Sequence, residues 1–189
     1  MIIGLNGYAQ AGKDTAGDYM VEGLGFVGAA YADKLRDLMT QADPWVQWGS
    51  TWVRWNEAVR LIGYERAKKE TNGRDILVNL GHGVRNVLGQ DTWVDAAMSD
   101  VIPARDYVFT DVRYPNEALA IKNAGGEVWR IWRPGNGPAL DEFGDPFISE
   151  VLLEDWIFDY EMANDGSILD LKHKVYAAVQ DVRRGTMVR

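Results

Sequence analysis

The stretch Gly7-Tyr8-Ala9-Gln10-Ala11-Gly12-Lys13-Asp14-Thr15, directly behind the short apolar run Met1 to Leu5, decides how the whole chain is read. Its glycines and lysine have the G-x-x-x-x-G-K spacing of a P-loop. In such a loop the glycines let the backbone curl so that several N–H groups point at one anion, the following helix adds its positive end, and the lysine reaches the outer phosphates. A glycine-rich turn opening an ordinary helix would look similar, but here strand, loop and helix come in the order that phosphate binding requires. Gly7, Ala11, Gly12, Lys13, Asp14 and Thr15 are therefore the candidate nucleotide-binding residues. One position departs from the pattern: Asp14 follows the lysine where Ser or Thr would offer a hydroxyl to magnesium, and the hydroxyl is delayed to Thr15.

The remaining composition narrows the function classes. With 189 residues, the chain suits one α/β domain with a sizeable core and is short for two. Its 47% hydrophobic and 25% charged residues are those of a globular protein, with no apolar run near the length of a membrane span. The first strand leads straight into the loop and leaves no room for a signal segment, so a cytoplasmic location is expected. A chain without cysteine has no disulfide, thiolate nucleophile or cysteine metal site, and two separated histidines make a poor zinc site. The net charge of −8 opposes a sequence-independent grip on a nucleic-acid polymer, whereas a few focused cations can hold a small phosphorylated ligand.

Along the chain, Lys13 to Gly23 reads as the first helix and Phe26 to Tyr31 as a second strand, followed by a helix capped by Asp33 and carrying Lys34 and Arg36. Trp45, Trp48, Trp52 and Trp55 stand three, four and three residues apart, the spacing of a helical stripe that Gly49-Ser50-Thr51 would divide into two short pieces. Helix is expected over Glu57 to Lys69 and again from Arg74 to Leu88, with Gly89 ending it. Arg74 and Arg85, eleven residues apart, share a face of that second helix and suit a phosphate, with salt bridges as the alternative use. His82 reads as a packing residue. Asp91 caps a helix reaching about Ser99, and Tyr107 to Asp111 is an apolar strand closing on an acid, the Walker B arrangement in which a carboxylate orients magnesium or its waters.

Past that strand come Arg113, a helix from Pro115 to Asn123, and a strand from Glu127 to Trp132 that carries Arg130 and ends beside Arg133. From Pro134 to Leu171 there are ten acids, Glu142 among them, and no Lys or Arg; the first half, rich in Pro and Gly, reads as a mobile loop. Trp156 to Met162 is the expected last strand, Asn164-Asp165-Gly166-Ser167 a turn and helix cap, and Ile168 to Arg184 the closing helix.

Four stretches together resemble the phage deoxynucleoside monophosphate kinases: Gly12 to Thr15, Arg85 with Leu88-Gly89-Gln90-Asp91-Thr92-Trp93-Val94, Thr110 to Glu117, and Asn164 to Ser167. Gly-Lys-x-Thr also resembles the loop of adenylate kinase, and Asn-Asp-Gly-Ser the ending of dephospho-coenzyme A kinases. The resemblance implies a parallel P-loop NTPase-type sheet flanked by helices in a single kinase domain of residues 1–189. It also implies a helical substrate-binding insert at about 33–100 and a lid-like loop at about 134–150. The implied reaction moves the γ-phosphoryl group of ATP, with Mg²⁺, to a deoxynucleoside monophosphate, in the host cytoplasm if the chain is phage-encoded. ATP would bind the P-loop residues, and the monophosphate Lys34, Arg85, Gly89, Gln90, Trp93 and Asp111. Asp111 would also orient the metal, and Lys13, Asp111, Arg113 and Arg133 would be catalytic. Related kinases often carry arginines on a closing lid; residues 134–150 have none, which shifts that duty to Arg113, Arg130 and Arg133. A dephospho-coenzyme A kinase-like enzyme and a non-catalytic nucleotide-binding switch are the alternatives, and a homodimer is left open.

Overall fold

The computed structural model describes residues 1–141 and 143–185, so Glu142 lies outside the described residues. The chain divides into two compact units, one built from Met1–Ala30 with Asp100–Arg189 and the other from Tyr31–Ser99.

In the first unit, β1 (Ile2–Asn6), β2 (Val27–Ala29), β5 (Tyr107–Phe109), β6 (Glu127–Trp132) and β7 (Tyr160–Ala163) form one sheet in the order β2-β5-β1-β6-β7. Every pair is parallel. The sheet is covered on both faces, so its central strands read as apolar runs whose alternate residues serve different helices. Ile3, Leu5, Val108, Trp129, Ile131 and Met162 pack in one cluster with Ala16 and Met20 of α1 (Lys13–Leu24) and Leu171, Val175 and Val179 of α9 (Ile168–Arg184). The opposite face meets α7 (Pro115–Asn123), whose Ile121 fills the space left by the missing side chain of Gly4. Since α1 follows β1 onto one face and α7 follows β5 onto the other, a crevice opens at the carboxyl ends of these neighbouring strands, where ligands of open α/β sheets bind.

The second unit holds α2 (Asp33–Ala42), the strands β3 (Trp45–Trp48) and β4 (Thr51–Arg54), α3 (Trp55–Ile62), α4 (Tyr64–Glu70), α5 (Gly73–Leu88) and α6 (Thr92–Met98). The tryptophan segment corrects the expectation of a helical stripe. It is an antiparallel hairpin turning at Gly49-Ser50, with Trp45 opposite Arg54 and Gln47 opposite Trp52. Strand alternation, rather than helical periodicity, sorts its side chains: Val46 is buried, while Trp45 and Trp52 stay more than half exposed. Runs rich in Trp, Val and Thr on either side of a Gly-Ser turn suit a hairpin better than a helix. Trp55 belongs to α3 and is wholly buried, meeting Tyr64 edge to face at 5.6 Å.

Smaller differences have local causes. The helix expected over 57–69 is two helices separated at Gly63, and Ala32 rather than Asp33 precedes α2 as its cap residue. His82 is exposed, not packed. The last strand starts at Tyr160 instead of Trp156, where the Asp159 carboxylate accepts the Val128 N–H at 2.8 Å and the Asp159 N–H reaches the Val128 carbonyl at 2.9 Å. Among the described residues, no helix is long and apolar enough to cross a membrane.

The sheet core should dominate stability. Leu5→Ala, at a wholly buried position of β1, should cost about 2–5 kcal/mol and lower the urea midpoint at an unchanged m-value. Val87→Ala, at a position 81% exposed on α5, should stay within about 0.5 kcal/mol of the parent in the same measurement.

Candidate active site

The loop between β1 and α1 owes its shape to two glycines. Gly7 has φ +153°, and a Cβ there would fall 2.3 Å from the Ile131 carbonyl oxygen of β6. Gly12, at φ +109°, lies so close to Asn164 that a Cβ would come within 2.5 Å of its side-chain nitrogen. Between them the Ala11 N–H closes a turn on the Tyr8 carbonyl at 3.1 Å, and Gln10 takes a left-handed conformation. Asn164 is buried and donates from Nδ2 to the Ala11 carbonyl at 2.9 Å, pinning the loop from below.

The end of α1 is prepared for an anion. Its first internal bond runs from the Ala16 N–H to the Gly12 carbonyl, so the N–H groups of Lys13, Asp14 and Thr15 have no partner within the helix, and Gly12 supplies no side-chain cap. Lys13 is only 7% exposed, a buried cationic residue at the place where the helix end is most positive. Beside the loop a cavity of about 240 Å³ is lined by Gly12, Thr15, Arg133, Asn164, Gly166 and Ile168, among others. It joins Gly12 to the turn that opens α9.

Asp111 comes to this place through strand register. The pairing ends with Gly4 of β1 opposite Phe109 of β5, and Asp111 follows two residues later, beyond the carboxyl end of the strand that neighbours β1. Two further bonds stitch this end together: the Val112 N–H reaches the Leu5 carbonyl at 3.3 Å, and Asn6 Nδ2 donates to the Val112 carbonyl at 2.9 Å. Buried Glu117 accepts the backbone N–H groups of Arg113 and Tyr114 at 2.8 and 3.0 Å, which fixes the connection into α7. The Arg113 guanidinium donates to Glu150 at 3.0 Å. Arg130 lies over the rings of Tyr8 and Phe158, at 5.8 and 5.5 Å, and so braces the loop from its β6 side. Burial and a hydrogen bond to Glu154 hold the Tyr8 hydroxyl above the usual phenol range, against the pull of Arg130, and the hydroxyl donates to Glu154 at 2.7 Å.

The first unit thus brings Gly7, Ala11, Gly12, Lys13, Asp14, Thr15, Asp111, Arg113 and Arg133 to the carboxyl end of one sheet. Lys34, Arg85, Gly89, Gln90 and Trp93 belong to the second unit, where α2, α5 and α6 pack together. Their meeting point is Gly81: Leu35, next to Lys34, packs on it, the Trp93 indole donates to its carbonyl at 3.1 Å, and Arg85 follows one turn later. Gly89 ends α5 with φ +123°, and its carbonyl accepts the Thr92 hydroxyl at 2.9 Å, which turns the chain into α6. Among the described residues no three His, Asp or Glu side chains converge on a point that could hold a metal ion by themselves.

Sequence reasoning assigned no role to Asn164, although its Asn-Asp-Gly-Ser motif was visible, and it missed Glu150, Glu154 and Asn136. Asn136 and Glu150 fall within the lid-like loop expected at about 134–150 and Glu154 just past it, but no spacing rule connects their side chains to the loop after β1.

No family model matches the chain. A search of curated proteins finds the Acanthamoeba polyphaga mimivirus protein named "Putative deoxynucleotide monophosphate kinase", 30% identical over 153 residues that cover 71% of this chain and 75% of the relative. Its source is a mimivirus, so the comparison does not bear on a phage origin. Similar solved structures include shikimate kinase from Aquifex aeolicus VF5, 11% identical with a TM-score of 0.46 over 97% of this chain and 98% of the other. Dephospho-CoA kinase from Campylobacter jejuni is 16% identical, with a TM-score of 0.45 over 98% of both chains. On the strength of the mimivirus relative, the chain belongs to the nucleoside monophosphate kinase-like family of phosphotransferases.

Proposed function

We propose that the protein transfers the γ-phosphoryl group of ATP to a deoxynucleoside monophosphate, releasing ADP and the deoxynucleoside diphosphate. The observation that carries this reading is the buried Lys13 at the uncapped end of α1, in a chain whose curated relative is named for the same class of acceptor. The P-loop residues Gly7, Ala11, Gly12, Lys13, Asp14 and Thr15 would hold the triphosphate. The adjoining cavity with Arg133 on its wall would take more of the donor nucleotide. Lys34, Arg85, Gly89, Gln90 and Trp93 would receive the monophosphate.

The chemistry asks little covalent work of the protein. An oxygen of the acceptor phosphate forms a bond to the γ-phosphorus as the bond from that phosphorus to the β–γ bridging oxygen breaks, and ADP leaves with the electron pair. Lys13 and the loop N–H groups neutralise the donor phosphates, and Asp111 orients groups at the mouth of the loop. Mg²⁺ bound with ATP would supply further neutralisation of charge. The single carboxylate of Asp111 fits such an ion, brought by the nucleotide rather than held by a cluster of side chains. Arg113 is the first candidate for the moving phosphoryl group, because charge spreads over its equatorial oxygens in the transition state and a guanidinium gains most there.

Three substitutions test these roles. Lys13→Ala should abolish turnover at saturating MgATP while leaving the melting curve intact; near-normal turnover would remove the P-loop from the mechanism. Arg85→Ala should raise KM for the monophosphate about ten-fold or more with little change in KM for ATP, since a charge-assisted pair contributes about 1.5–3 kcal/mol. Equal effects on both substrates would assign Arg85 to structure. Arg113→Lys keeps the charge but loses the planar fork, so kcat should fall with smaller changes in either KM. An unchanged kcat would pass the role to Arg133 or Arg130.

A further inference from the structure

One acidic segment is fastened to the phosphate loop at several points. Glu150, in the short helix α8 (Ile148–Val151), accepts the Ala9 N–H at 3.3 Å through one carboxylate oxygen and the Arg113 guanidinium at 3.0 Å through the other. One turn later Glu154 accepts the Tyr8 hydroxyl, and from the start of the same stretch Asn136 donates to the Ala9 carbonyl at 2.7 Å. The Glu150 side chain is 7% exposed, although its helix is otherwise open: Ile148 is 68% exposed, and between it and Glu154 only Leu153 is buried. Polar contacts to the loop, rather than apolar burial, therefore hold this segment down, and such a segment opens at low cost.

The donors that Glu150 engages, a backbone N–H of the loop and a guanidinium at the strand end, are the kind a phosphoryl group requires. We propose that Glu150 is a surrogate anion: its carboxylate holds Ala9 and Arg113 in place of a phosphoryl group, and the incoming nucleoside triphosphate must displace it. The inference rests on the nucleotide-binding reading given above. A carboxylate at hydrogen-bond distance from the loop and a triphosphate carrying several negative charges repel each other strongly in a partly buried site. Displacement releases the Arg113 guanidinium at the moment its phosphoryl target arrives. Glu150 is in this sense a positioning residue, keeping Arg113 at the site while the donor nucleotide is absent.

The test is calorimetric titration of the intact protein and of Glu150→Gln with MgATP. Glutamine can still accept the Ala9 N–H but carries no charge, so the variant should bind about three- to ten-fold more tightly, with the gain shrinking as salt is raised. A merely structural role does not produce tighter binding. Affinity equal to the parent, or weaker, in a folded variant overturns the proposal. Hydrogen exchange of the unmodified protein gives a second reading should the variant not fold: MgATP should speed exchange of the Glu150, Leu152 and Glu154 amides, which bond within the segment. Unchanged or slower exchange there also overturns it. If the unmodified protein fails to bind MgATP at all, the nucleotide reading itself falls, an outcome distinct from binding that is indifferent to Glu150.

Discussion

The backbone of β6 passes so close to Gly7 that no side chain fits between them, and the rest of the site depends on that approach. Because β1 pairs with β5 on one side and β6 on the other, the loop leaving β1 must thread between two neighbouring strand ends. Gly7 lets the chain turn against the Ile131 carbonyl, and Gly12 lets it turn again over Asn164. The loop N–H groups are thereby directed by the sheet, not by the loop alone. Lys13 can be buried at this point only because the helix begins there, with Ala16 and Met20 anchoring α1 in the core.

The same sheet explains why residues distant in sequence meet. Asn164 follows β7 at the end of the sheet, and its backbone N–H bonds to the Trp132 carbonyl at 2.7 Å, so pairing with β6 delivers its side chain under the loop. Arg133 follows β6 by the same logic. Asp111 and Arg113 arrive through β5, and Glu117 fixes their connection with two backbone bonds. Parallel pairing thus gathers the cations and the acid at one edge, and local hydrogen bonds set how each is presented.

Much of this was legible in the amino-acid sequence. The loop spacing, the apolar strand leading to Asp111, Pro115 at the start of α7 and Ser167 at the head of α9 are local signals, and the family resemblance implied the parallel sheet flanked by helices that the structure has. The tryptophan hairpin was misread because spacings of three and four mimic a helix, while the alternation that sorts Val46 from Trp45 spans too few residues to dominate. Glu150 was invisible for a different reason. Its partners lie 37 and 141 residues away, and nothing in an acidic stretch reveals which carboxylate will meet a loop amide.

The placement of residues 31–99 between β2 and β5 bears on how the chain assembles. Ile2 pairs with Tyr107, and the entropy of closing so long a loop must be met before that pairing contributes any stability. The intervening unit is built from a hairpin and neighbouring helices, contacts that form early because they are local. Once folded, it shortens the effective loop that β1 and β5 must close. Local contacts thus favour early collapse of the helical unit, and the non-local pairing of β1 with β5 carries the larger entropic cost.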